Sequence, residues 1–182
     1  MKYLIASDIH GSGLHCEALL ERYRAEGAER LLLLGDILYH GPRNPFPAEY
    51  GPQKVCELLN PMWTDILCVK GNCDSEVDEV VLRFPLLSGY AVLEDGKRAL
   101  ILTHGHIFNE EHLPPMRPGD LLLHGHTHVK AAKKLAGGGY LVNPGSISLP
   151  KDGDVGSYAV YDGSRVEIKS LAGDILMTLA LE

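Results

Sequence analysis

Five times along this chain a short apolar run stops at a small residue, with Asp, His or Asn close beside it. The runs read "LIASDIHG", "LLLLGDIL", "ILCVKGNCD", "ILTHGH" and "LLLHGHTH". Short apolar runs with such punctuation read as buried strands. Polar side chains at the end of a buried strand are costly unless they meet a ligand or one another. In open α/β sheets, ligands collect outside the carboxyl ends of parallel strands. Five such ends therefore predict one convergent site. The small neighbours Ser7, Gly35, Gly71, Gly105 and Gly125 let backbone and ligand crowd one point.

Helical spacing separates the first three runs. Cys16, Leu19, Leu20 and Tyr23 recur at i, i+3, i+4 and i+7, and Gly27 suits the helix end. Val55, Leu58, Leu59 and Met62 repeat the pattern. A βαβαβ order predicts parallel strands covered by helices. The second half reads instead as hairpins: "YAVLEDGKRALILTHG" around Asp95-Gly96, "KKLAGGGYLVN" around its glycines, and "SYAVYDGSRVEIKS" around Asp162-Gly163. Together these predict an α/β fold, a four-layer αββα sandwich with two mixed β-sheets packed face to face and helices outside. Residues 1–182 are expected to form one domain.

Composition narrows the partners. Forty-five per cent hydrophobic residues in a 182-residue chain suffice for a sizeable core. No apolar run approaches the roughly 20 residues of a membrane span, and the N-terminal run is broken at once by an acidic motif, unlike a signal peptide. A cytoplasmic protein without a membrane partner is expected. The four cysteines show no C-x-x-C spacing and read as reduced thiols. The net charge, 17 − 24 = −7, argues against long nucleic acid, whose affinity comes largely from Lys and Arg. A small phosphate compound remains compatible if a local positive charge exists.

A metal would supply that charge. Asp8, His10, Asp36, Asn72, His104, His126 and His128 form a mixed oxygen and nitrogen set that suits Mn²⁺, Fe or Zn²⁺ better than a thiolate metal. Seven candidates exceed the needs of one ion, but match two ions sharing a carboxylate. Two divalent cations against Asp8 and Asp36 leave the pocket positive, and phosphate is the natural guest. His124 shares a strand face with His126 and His128, and is expected to pack rather than ligate. Asp74 is expected to brace its own loop.

At these residues the sequence resembles the calcineurin-like metallophosphoesterases. Their run of motifs is D-x-H, G-D, G-N-H followed by an acid, a T-H or G-H segment, and G-H-x-H. Here they stand as Asp8-Ile9-His10, Gly35-Asp36, Gly71-Asn72-Cys73-Asp74, Thr103-His104-Gly105-His106 and Gly125-His126-Thr127-His128, in order over residues 1–150. "GDILYHGPRNPFP", "GNCDSEVD", "THGHIF" and "NPGSISLPK" resemble a bacterial phosphodiesterase branch of that family. The resemblance implies that Asp8, His10, Asp36 and His128 hold one metal, and that Asp36, Asn72, His104 and His126 hold a second, with Asp36 bridging. It implies Mn²⁺ as the preferred ion, with Fe or Ni²⁺ as substitutes, a hydroxide between the metals that attacks phosphorus, a small phosphodiester substrate, and a homo-oligomer. Cys73 stands where the family has a histidine near the substrate phosphate. A thiol donates weakly, so diesters with good leaving groups are expected. Arg43, in the loop after Asp36, and His106 are further candidate substrate contacts. The competing expectation is a catalytically silent scaffold on the same fold, which should show broken ligand positions.

Overall fold

The structure, a computed structural model, describes residues 1–86, 88–151 and 153–182. The chain opens with β1 (Tyr3–Ala6), α1 (Gly13–Glu26), β2 (Arg30–Leu33), α2 (Pro52–Leu59) and β3 (Ile66–Cys68). A 3₁₀ turn over Asn60–Asp65 joins α2 to β3, and a short α3 (Asp78–Val81) follows. Then come β4 (Tyr90–Glu94), β5 (Ala99–Thr103), β6 (Leu121–Leu123), β7 (Ala131–Lys134), β8 (Tyr140–Asn143), β9 (Ser157–Tyr161), β10 (Arg165–Ser170) and β11 (Ile175–Ala180).

Two mixed sheets result. One runs β11-β10-β9-β1-β2-β3 and the other β4-β5-β6-β8-β7. In the first, β1, β2 and β3 are parallel. The hairpins β4–β5, β7–β8 and β9–β10 form as the sequence predicts. The second sheet is less simple than a run of hairpins, because β5, β6 and β8 pair in parallel. Their carboxyl ends thus join those of β1, β2 and β3 in supplying the site. β11 was not anticipated. It pairs with β10 at the sheet edge, and Ile175, Leu176 and Met177 stay exposed there, so the stretch lacks the in–out alternation that marks a half-buried strand.

Strand alternation sorts the core into layers. Leu4, Ala6, Leu31 and Leu33 meet Cys16, Leu19 and Leu20 of α1 and Val55 and Leu59 of α2. Their neighbours in sequence, Tyr3, Ile5, Leu32 and Leu34, face Leu100, Leu102, Leu121 and Leu123 across the gap between the sheets. The remaining face of the second sheet, with Ile101, Leu122 and Leu141, is covered by Met116 and Leu135 from connecting segments. α1 starts at Ser12, whose hydroxyl accepts from His15 N, and ends at Gly27, with φ 59°. Gly27 and Ala28 return their N–H groups to Arg24 and Tyr23, a glycine-capped end.

Candidate metal centre

The loops leaving β1 and β2 run side by side. Asp8 N donates to Gly35 O at 3.1 Å, His10 N to Asp36 O at 2.9 Å, and Gly11 N to Ile37 O at 2.9 Å. Asp8, His10, Asp36, His126 and His128 all hold positive φ, between 49° and 68°. L-residues avoid this region at a cost on the order of 1 kcal/mol each, and such strain clusters at functional sites. The glycines explain the close approach of the loops. A Cβ on Gly71 would lie 2.0 Å from Asp36 Oδ1, and one on Gly125 would lie 1.8 Å from Ser7 Oγ.

Three histidines are oriented alike. His10 Nδ1 donates to Tyr39 O at 2.8 Å, His104 Nδ1 to Leu34 O at 2.7 Å, and His128 Nδ1 to Leu149 O at 2.6 Å. A carbonyl partner requires the proton on Nδ1, so in the neutral ring the Nε2 lone pair is free for a metal. Those Nε2 atoms converge on two carboxylates. His128 Nε2 lies 3.2 Å from Asp8 Oδ1, His10 Nε2 3.5 Å, and His104 Nε2 4.0 Å. Asp36 Oδ2 sits between two of them, 3.3 Å from His104 Nε2 and 3.8 Å from His10 Nε2. His10 and His128 bring their Nε2 atoms within 3.2 Å of each other.

Asp8 shows why this set fits a cation. Its Oδ2 accepts from Ser7 Oγ at 2.6 Å and from His126 N at 3.0 Å, and its main-chain oxygen accepts from Ser146 Oγ and Ser148 Oγ. Its Oδ1, fully buried, has no aligned donor. Buried carboxylate oxygens are normally satisfied. An orphan oxygen among imidazole nitrogens is completed by a divalent cation, since Asp oxygen and His nitrogen are its ordinary ligands. Ligand atoms of Asp8, His10 and His128 form one tight group, and those of Asp8, Asp36 and His104 form another.

The protonation balance agrees. Burial by itself would raise the Asp8 carboxyl, but the His10 and His128 imidazoles beside it hold it well below the usual range. Burial opposes charge on His104, yet Asp36 and Asp8 push it up to about 9. His10 is raised against its burial in the same way, chiefly by Asp8. Burial and the nearby His104 charge lower His126.

The other anticipated residues fall at different distances from this point. Asn72 is exposed, with its Oδ1 3.1 Å from His104 Nε2. The His126 ring centroid stands 5.1 Å from that of His104. A cavity of about 310 Å³ opens over the centre, lined by Asp36, Asn72, Cys73, His126 and His128 together with Gly41 to Asn44 and Lys151. Arg43 therefore reaches the cavity. His106 is exposed, beside the lining rather than in it, 5.4 Å from the His104 ring. Burial and the Asp36 charge push the Cys73 thiol up to about 12, so it is neutral at ordinary pH. His124 packs as anticipated, with Nδ1 donating to Gly125 O at 3.1 Å.

Two features were beyond sequence reasoning. Asp74 braces more than its own loop. It accepts from Gly71 N at 2.7 Å, but also from Asp36 N at 2.7 Å and Ile37 N at 2.8 Å. Nothing in a sequence reports a carboxylate spanning loops 37 residues apart. Lys151 closes the "NPGSISLPK" segment, but nothing in that segment marks it as a cavity residue; its main-chain bond to His128 O, and that of His128 Nδ1 to Leu149 O, hold it near the centre.

Comparison with known proteins agrees with the geometry. The calcineurin-like phosphoesterase superfamily domain matches residues 1–165. Phosphodiesterase YfcE of Escherichia coli (strain K12) is 44% identical over 171 residues, covering 94% of this chain and 92% of that one. A solved structure of YfcE, a phosphoesterase from E. coli, matches with a TM-score of 0.97 at 42% identity over 100% of both chains. Wild-type Vps29 of Entamoeba histolytica, solved with Zn²⁺, matches with a TM-score of 0.63 at 20% identity, again over 100% of both chains, a likeness of fold alone.

Proposed function

The chain belongs to the calcineurin-like phosphoesterase superfamily, and on that premise we propose that it is a metal-dependent hydrolase of phosphodiester bonds. The observation that carries the reading is the buried, donorless Asp8 Oδ1 facing imidazole nitrogens of His10, His104 and His128. Asp8, His10, Asp36 and His128 hold one divalent ion. Asp36, Asn72, His104 and His126 hold the other, with Asp36 shared. The expected ion is Mn²⁺, with Fe, Ni²⁺ or Zn²⁺ as substitutes. Two such ions supply the charge that draws in a phosphoryl group and the acidity that readies water for attack at phosphorus.

The protein's own part is arrangement. The Nδ1 bonds of His10, His104 and His128 to main-chain oxygens fix which nitrogen faces the centre. Ser7 and the His126 main chain hold one Asp8 oxygen and leave the other free. Cys73 lines the cavity as a neutral thiol and donates weakly, which suits substrates whose alcohol leaves without help. Arg43 and His106 are the remaining substrate contacts of the proposal. The intact donor set weighs against a silent scaffold. A cytoplasmic location and a homo-oligomer belong to the same reading. The four cysteines are free thiols, as a reducing compartment keeps them.

Metal content followed by a paired assay tests the core of this. With Mn²⁺ added, a bis-aryl phosphodiester should be turned over well and a mono-aryl phosphate poorly. Asp36→Asn should lose both ions and nearly all turnover. Full activity in that variant would contradict the shared carboxylate.

A further inference from the structure

Two cationic side chains belong to the wall of the cavity over the candidate centre. Arg43 and Lys151 both face it, and among the described residues neither side chain makes an ion pair or hydrogen bond. What sets these two apart from other unpaired surface cations is their place on the wall of the cavity over the candidate centre. The nearby Asp154 is taken by Lys130. The acid of the cavity wall, Asp36, lies 3.3 Å from His104 Nε2.

Both cations stand on fixed backbone. Arg43 lies in a tight turn closed by Asn44 N to Gly41 O at 3.4 Å and by Asn44 Nδ2 to His40 O at 2.9 Å. Gly41 presses on the Cys73 thiol, since a Cβ there would lie 3.0 Å from the sulfur. The turn is backed by ring contacts of His40, tilted against Phe46 and edge-on to Tyr50. Lys151 is tied through its main-chain N–H to His128 O at 3.4 Å, and its own carbonyl accepts from Asp154 N at 3.0 Å. Long cationic side chains anchored at their roots and unpaired at their tips form a site that a ligand's anion completes.

We propose that Lys151, with Arg43, forms a subsite for a second anionic group, so that the preferred substrates are phosphodiesters carrying a further phosphate-like group near the bond that is cut. The inference rests on the phosphodiesterase reading above and adds the substrate class. A simple diester brings one negative charge, which the reacting centre takes up. The two rim cations are left to be matched by a charge elsewhere on the same molecule.

Two chromogenic diesters with the same leaving group separate the outcomes: methyl 4-nitrophenyl phosphate, and 2-phosphonoethyl 4-nitrophenyl phosphate, whose distal phosphonate cannot be hydrolysed. The enzyme with Mn²⁺ should favour the second by about tenfold in kcat/KM, mainly through KM, as one charge-assisted contact allows. Lys151→Met should collapse that preference and Lys151→Arg should keep it. Calorimetric binding of methyl methylphosphonate and methyl 2-phosphonoethylphosphonate to the same loaded proteins should show the same difference without turnover. Equal handling of the two substrates by the unmodified enzyme overturns the subsite while leaving the phosphodiesterase reading intact, as does a preference that survives in Lys151→Met. Hydrolysis of neither compound overturns the phosphodiesterase reading itself.

Discussion

Asp74 carries more of the centre's geometry than its distance from any candidate ligand suggests. Its two oxygens accept three main-chain N–H groups, from Gly71, Asp36 and Ile37. It thereby locks the loop after β2 against the loop after β3, and sets the left-handed backbone that aims Asp36. Burial pushes its carboxyl up while those N–H groups pull it down. Removing the side chain would orphan three buried donors, each worth about 1–3 kcal/mol when left unsatisfied. Asp74→Ala should therefore lower unfolding free energy by several kcal/mol and weaken metal retention together, measured by urea denaturation and by metal analysis after dialysis. Unchanged metal content in a folded Asp74→Ala protein would show that the brace does not position Asp36.

Glu26, the last residue of α1, ties that helix to the sheet. Its carboxylate pairs with Lys2 at 2.9 Å and with Lys169 of β10 at 2.9 Å, and accepts from the Tyr158 hydroxyl of β9 at 3.1 Å. Burial disfavours the charge, but the two lysines and the tyrosine outweigh it and lower the carboxyl below its usual value. A depressed acid stabilises the fold at pH above its unfolded value, and the contribution is lost as pH falls through the folded value. Glu26→Gln should cost about 2 kcal/mol near neutrality. The gap between variant and parent should close in acid, below about pH 4, in denaturation curves taken across pH. A gap of constant size would assign the effect to packing. β11 is an element of the opposite kind: an apolar edge strand with exposed Ile175, Leu176 and Met177, held to the sheet through β10.

At the scale of the whole molecule, the candidate centre joins the two sheets. Asp8, Asp36 and Asn72 follow strands of the first, whereas His104, His126 and His128 follow β5 and β6 of the second. Cations held between them, as proposed, would bind the folded chain and not the unfolded one, so occupancy would add to stability, about 2.7 kcal/mol for an ion at a hundred times its Kd. Chelation should lower the thermal midpoint by several degrees, at about 2–4 °C for each kcal/mol in a chain of this size, and added Mn²⁺ should restore it. A midpoint indifferent to chelator would mean that no ion bridges the sheets.

The sequence by itself determined the strands before β11, the two longer helices, the glycine-capped end of α1 and the seven polar residues at strand ends. Each of these is written locally, in hydrophobic period, in turn chemistry, or in a motif a few residues long. Alternate spacing offered His124 along with His126 and His128, and the Gly-His-x-His motif starting at Gly125 singled out the last two. The tertiary structure decided what depends on segments far apart in sequence. It placed β5, β6 and β8 in parallel, bridged two loops with Asp74, left one oxygen of Asp8 without a donor, and brought Lys151 to the same cavity as Arg43. Contacts of that kind form only when the packed sheets fix several loops at once, and no single stretch of chain contains the information for them.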